Sequence, residues 1–288
     1  MPAERRTAVG GVEIAAYEWG QPHAEQPSIL FAHATGFHGH VWSQVIARLP
    51  DFHCIALDFR GHGRSGKPAP PYEWHYFADD VLGVARAFGL HHAVGVGHSL
   101  GGHAVTLAAA REPELFAALL LIDPVIMPRE YYVGVVEFEH FTARRRNEWA
   151  SPDEMYARFS ERPPFSSFKP EVLRDYVDYG LVQHPDGTGY VLACAPAYEA
   201  ATYNFGSAAN IYPEIATMKI PVTILRAGGQ ADSTVFNLSA SPTAPDLAVQ
   251  FPNAIDVPLP GYSHFIPMQA PELVAEYVRK AAKEAASH

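Results

Sequence analysis

The stretch Ala93-Val94-Gly95-Val96-Gly97-His98-Ser99-Leu100-Gly101-Gly102 changes character in its middle. Ala93 to Gly97 is a short run suited to a buried strand, and Leu100 to Arg111 continues as a helix. Between the two lies Gly-x-Ser-x-Gly, residues 97 to 101. A side chain placed between strand and helix must sit on a strained turn, and neighbouring glycines leave room for that turn. The turn lifts the hydroxyl off the sheet, beside the positive end of the following helix. In this context the motif reads as a nucleophile elbow carrying Ser99. The competing reading is a glycine-rich turn with an incidental serine.

The same alternation extends outward. Thr7 to Trp19 alternates around Gly10-Gly11, as a hairpin does. Ser28 to His33, Phe52 to Asp58 and Ala118 to Ile122 are further buried strands, while Trp42 to Leu49 and Phe77 to Phe88 have helical spacing. The loop Arg60-Gly61-His62-Gly63-Arg64-Ser65-Gly66 closes the Phe52–Asp58 strand. Strands alternating with helices predict an α/β fold with a mostly parallel sheet covered on both faces. The rhythm stops at Asp123-Pro124. It resumes with strands at Ile220 to Arg226 and Ala254 to Val257, and a final helix runs from Pro271 to Glu284. Residues 1–124 and 213–288 therefore read as one core, and 125–212 as an inserted, mainly helical cap.

Bulk composition narrows the function. The 288 residues are enough for one large α/β domain with an insertion. A net charge of −10 disfavours a polyanionic partner, so no nucleic acid is expected. No apolar run is long enough to span a bilayer, and the start, Met1-Pro2-Ala3-Glu4-Arg5-Arg6, carries no secretory h-region; the expectation is a cytoplasmic protein that needs no membrane. Arg144-Arg145-Arg146 reads as a solvated helix face. Cys54 and Cys194 read as reduced packing residues. None of the 15 histidines forms HExxH, which leaves a metal site with little support.

A serine nucleophile needs a base. Gly261-Tyr262-Ser263-His264-Phe265 follows the last strand and precedes the last helix, where a loop folds over the sheet's C-terminal edge. His264 is the expected base because a histidine titrates near neutrality. His98 reads as a buried structural residue and His62 as a turn residue. For the carboxylate that orients the base, Asp232 in Gly228-Gly229-Gln230-Ala231-Asp232 is the first choice, giving the order Ser, Asp, His. Asp123, at the end of the strand after the nucleophile helix, is the rival; Asp246 and Asp256 are weaker alternatives. The oxyanion of an acyl intermediate needs two backbone donors. Leu100, next after the nucleophile, supplies one. The second is expected from Thr35 in His33-Ala34-Thr35-Gly36-Phe37.

These pieces, with Asp58-Phe59-Arg60-Gly61-His62-Gly63-Arg64-Ser65, occur in one order along nearly the whole core. In that order they resemble the α/β-hydrolase superfamily, in its branch of small bacterial serine esterases with a helical cap. The resemblance implies no cofactor. One departure is His33-Ala34 where such proteins usually read His-Gly. A serine nucleophile sets the chain apart from haloalkane dehalogenases and typical epoxide hydrolases, whose nucleophile is Asp.

The expected activity is hydrolysis of a carboxylic ester of modest size through an acyl-enzyme. Lactonase, thioesterase, carbon–carbon bond hydrolase and perhydrolase activities use the same parts, and a small-molecule sensor with little turnover is the alternative of another class. The expected partner is a small apolar ester-like substrate. Among the cap aromatics, Phe138, Phe141, Trp149 and Phe205 are the candidate pocket lining; packing of cap on core is the competing reading for each.

Overall fold

The computed structural model describes residues 2–136, 139–229 and 239–286. Strands β1 (Ala3–Val9) and β2 (Val12–Trp19) form the hairpin around Gly10-Gly11, both at positive φ. The core continues through β3 (Ile29–Ala32), helix α1 (Ser43–Ile46), β4 (Cys54–Leu57), α2 (His75–Ala87), β5 (Ala93–His98), α3 (Leu100–Arg111) and β6 (Phe116–Ile122). After a long insertion, the short helix α7 (Tyr212–Ile215) leads into β10 (Val222–Ala227), β11 (Ala254–Leu259), α8 (Ile266–Gln269) and α9 (Pro271–Ala285). The eight strands form one sheet in the order β1-β2-β4-β3-β5-β6-β10-β11. Only β1–β2 and β2–β4 pair antiparallel; every other neighbour is parallel.

Period-two alternation sorts the strand side chains into two apolar layers. Leu30, Ile55, Leu57, Leu119, Leu121 and Ile224 pack with Phe77, Val81 and Val105 of α2 and α3. Ile29, Phe31, Val94, Val96, Leu120 and Leu225 pack with Val45 of α1 and Val274 and Val278 of α9. Each such side chain contributes about 1.5–3 kcal/mol on burial. Both faces of the sheet are thus covered, and the C-terminal ends of β3, β5, β6, β10 and β11 open onto one edge.

Among the described residues, the inserted segment adds no strand to this sheet. It holds α4 (Pro152–Ser160), α5 (Pro170–Gly180) and α6 (Pro196–Tyr203), each with Pro in its first turn. It also contains a small antiparallel sheet in the order β7-β9-β8, made of β7 (Glu148–Trp149), β8 (Leu181–Gln183) and β9 (Tyr190–Leu192). The helical reading of the cap missed this sheet because strands of two or three residues are too short to show a period.

The histidines are unusually deep. His33, His62 and His98 are fully buried, and desolvation pushes all three down to about 3; His103 is pushed to about 4 for the same reason. Above pH ~6.5 both folded and unfolded chains hold these rings neutral. Below it only the unfolded chain takes up protons, so stability falls with pH down to the native values. Each ring contributes between about one and two kcal/mol per pH unit across that window, against a typical total of about 5–15 kcal/mol. Far-UV circular dichroism is expected to show cooperative acid unfolding between about pH 6 and 4. A full native signal at pH 3 would contradict this reading of the buried rings.

Candidate active site

Ser99 lies on the turn between β5 and α3 at φ 57°, ψ −118°. Such a backbone is costly for any residue with a side chain, so the surroundings must enforce it. They do so by close approach. A Cβ on Gly97 would stand 2.3 Å from the Gly101 carbonyl oxygen, and one on Gly101 would stand 2.2 Å from that of Ala32. The Ser99 N–H donates to the Ile122 carbonyl, and the Ser99 carbonyl accepts from Gly102 and Val125. The elbow is therefore bonded to the end of β6 as well as to its own helix.

The His264 Nε2 lies 3.0 Å from the Ser99 Oγ, and its Nδ1 lies 2.6 Å from the Asp123 Oδ2. An ionised carboxylate only accepts, so Nδ1 carries the proton and Nε2 is left to accept from the hydroxyl. The loop that carries His264 is held by the His264 N–H, which donates to the Ser239 carbonyl at 2.9 Å.

Asp123 is fully buried and sits at φ 43°, a second strained position outside glycine. Its Oδ1 accepts from the Ala227 N–H at 2.9 Å, the Ser241 hydroxyl at 2.6 Å and the Thr243 hydroxyl at 3.2 Å. Burial alone would push this carboxyl up. The hydrogen bonds from His264, Ser241 and Ala227 outweigh burial and hold it below the usual carboxylate range. The carboxylate beside His264 Nδ1 among the described residues is thus Asp123, the alternative weighed against Asp232. Asp232 itself lies outside the described residues. Strands β6 and β10 are parallel neighbours with Ile122 opposite Leu225, so the loops that follow them open side by side at the same edge. The order Ser, Asp, His fits either loop. The signal in favour of Asp123 was a carboxylate ending a fully apolar strand, Leu119-Leu120-Leu121-Ile122, where only a paired charge is tolerated.

Leu100 is the first residue of α3, so its N–H has no acceptor within the helix. Thr35 is buried in the loop after β3. The carbonyl of its peptide unit, that of Ala34, accepts from the Phe37 N–H at 3.1 Å and from His33 Nδ1 at 2.7 Å. His33 Nε2 in turn accepts the Phe59 N–H at 3.0 Å, which assigns the ring proton to Nδ1. A trans peptide sends its N–H opposite its C=O, so the Thr35 N–H faces away from His33.

The proposed pocket aromatics separate. Phe138 lies outside the described residues, and Phe141 is half exposed. Trp149 packs inside the cap, edge-on to Phe159 and under Arg146. Phe205 lines a cavity of about 530 Å³ with Pro70, Pro71, Val135, Ala201 and Asn204. The aromatics that join cap to core beside the base are others: Phe168 and Tyr176 of the cap meet Phe37 and Phe265 at centroid distances of 5.0–6.3 Å. His38 Nε2 donates to the Tyr176 carbonyl at 3.0 Å, and the Trp74 Nε1 to that of Thr202 at 2.9 Å. The arginine run also divides. Arg144 is exposed and pairs with Glu139, whereas Arg145 forms a buried ion pair with Glu199, whose carboxylate lies against Gly36 of the Thr35 loop. Nothing in three consecutive arginines marks the middle one, so this pair was invisible to the sequence reading.

Residues 29–277 match the model of the alpha/beta hydrolase family. The chain belongs to this family. It is similar to the 2-(acetamidomethylene)succinate hydrolase of Mesorhizobium japonicum, with 28% identity over 280 residues, 95% of this chain and 93% of that protein. A bifunctional esterase/perhydrolase from Acinetobacter calcoaceticus is 38% identical over 122 residues, covering 41% of this chain and 44% of that one. The crystal structure of E-2-(acetamidomethylene)succinate hydrolase superposes with a TM-score of 0.78 at 25% identity, covering 98% of this chain and all (100%) of the other. The chain is accordingly an α/β-hydrolase-fold enzyme of the hydrolase class. Among the described residues no helix is long and apolar enough to cross a membrane, and no three His, Cys, Asp or Glu side chains gather as metal ligands would.

Proposed function

We propose that the chain is a serine hydrolase that cleaves a small carboxylic ester through an acyl-enzyme. The observation that carries the reading is the hydrogen-bonded row Ser99–His264–Asp123, with distances of 3.0 and 2.6 Å, built on a strained elbow. His264 takes the Ser99 proton as the hydroxyl attacks the carbonyl carbon, and returns it to the leaving alcohol as the tetrahedral intermediate collapses. The imidazolium formed meanwhile is stabilised by Asp123. The N–H groups of Leu100 and Thr35 receive the oxyanion. Water then repeats the sequence on the acyl group. Residues 125–212 act as a lid that excludes bulk water from this chemistry.

A p-nitrophenyl acetate assay is expected to show a burst of p-nitrophenol equal to the enzyme concentration, followed by slower turnover. Turnover without any covalent intermediate would contradict the mechanism, and absence of both burst and turnover across acetate, butyrate, lactone and thioester substrates would contradict an esterase. Similarity over 95% of the chain to a 2-(acetamidomethylene)succinate hydrolase favours a second reading, in which that compound or a near analogue is the substrate. Its consumption by the purified enzyme, lost in Ser99→Ala, is the measurement that would prefer it.

A further inference from the structure

His98 precedes the nucleophile and ends β5. Its Nε2 lies 2.8 Å from the backbone carbonyl oxygen of His264, across 166 residues of chain. A carbonyl only accepts, so Nε2 carries the His98 proton and Nδ1 is left bare. The two rings lie 4.9 Å apart, tilted by 43°. Phe37 and Phe265 pack against His98 edge-on, and the side chain is fully buried.

We propose that His98 is a positioning residue whose Nε2–H holds the His264 carbonyl and so fixes the base between Ser99 and Asp123. The inference rests on the assignment of Ser99 and His264 as nucleophile and base. The base arrives on a loop between β11 and α8, whereas the nucleophile stands on the sheet. Two backbone bonds locate His264: its N–H donates to Ser239, and its carbonyl accepts from His98. The second bond ties the base to the residue covalently attached to the nucleophile. The spacing of Ser99 Oγ and His264 Nε2 is then set by one rigid strand end, and not by the loop. Burial also keeps the His98 ring uncharged, so the neighbouring imidazolium meets no second cation when the base is protonated. A glutamine here carries an amide N–H to the position of Nε2. An asparagine reaches only to the position of Nδ1, and a leucine fills the space with no donor.

Three variants separate positioning from packing. His98→Leu and His98→Asn are expected to lower kcat roughly 10²-fold with KM little changed, as a misplaced catalytic group does, and His98→Gln is expected to recover most of that loss. The downfield proton resonance of His264 Nδ1–H against Asp123 should be sharp in the wild type and in His98→Gln, and lost or broadened in the other two. Full activity in folded His98→Leu or His98→Asn overturns the proposal, as does a folded His98→Gln no better than His98→Leu. Should the variants fail to fold, ¹⁵N-histidine spectra of the wild-type enzyme decide alone: His98 must be the neutral Nε2–H tautomer at neutral pH, and Nδ1–H or the cation overturns the proposal. Undiminished activity of His264→Ala would instead bring down the assignment of the base on which this rests.

Discussion

Ser99→Ala is expected to remove hydrolytic turnover, by around 10⁶ in kcat, while leaving the fold and thermal unfolding nearly unchanged. The magnitude follows from the position. The hydroxyl is the only group at the elbow that forms and breaks a bond to carbon in the proposed mechanism, and no neighbour on the turn between Gly97 and Gly101 can replace it. What survives in the variant is binding and oxyanion stabilisation. The fold survives because what alanine removes is one hydroxyl bonded to His264; the strain at φ 57° is common to both side chains and relieved in neither. Near-wild-type turnover by folded Ser99→Ala would remove the basis for a serine mechanism.

The fold was largely legible because it is written in runs of apolar residues that cannot be satisfied elsewhere. Ile29-Leu30-Phe31-Ala32 and Leu119-Leu120-Leu121-Ile122 are buried on both faces, so their length and composition identified central parallel strands. Leu100 to Arg111 matched its helix residue for residue. The cap was less legible. Its strands β7, β8 and β9 are too short for periodicity, and its contacts with the core, such as Tyr176 on Phe37 and Thr202 with Trp74 of the core, join residues far apart in sequence. Site residues divided the same way. Ser99 and His264 are marked by local context, a Gly-flanked turn and a loop before the last helix. The carboxylate has a weaker mark, an Asp ending the apolar run Leu119–Ile122, and the choice between the neighbouring ends of β6 and β10 is a tertiary fact. Ser241 and Thr243, which hold Asp123, sit in a Pro/Ser/Thr loop with no local signal at all.

The second large effect concerns that carboxylate. Asp123→Asn is expected to lower kcat by up to ~10⁴ while preserving the structure. The asparagine oxygen can keep the bonds from Ala227, Ser241 and Thr243, which places its amide NH₂ toward His264 Nδ1. A donor there forces the ring proton onto Nε2, so the ring no longer accepts from the Ser99 hydroxyl. Asp232→Asn is expected to cost far less, since Asp123 already fills the Nδ1 side. Steady-state kinetics of both variants with one ester decide the ranking. The reverse order would return the orienting role to Asp232.

The central claim is that Ser99 becomes covalently acylated with His264 as its base, and covalent trapping tests it most directly. The enzyme is treated with a fluorophosphonate, digested, and its adduct located by tandem mass spectrometry. The account predicts stoichiometric modification of Ser99 alone, in step with loss of esterase activity, and slow or absent labelling in His264→Ala. An adduct on another residue such as Ser263, or full activity retained after Ser99 is modified, would contradict it.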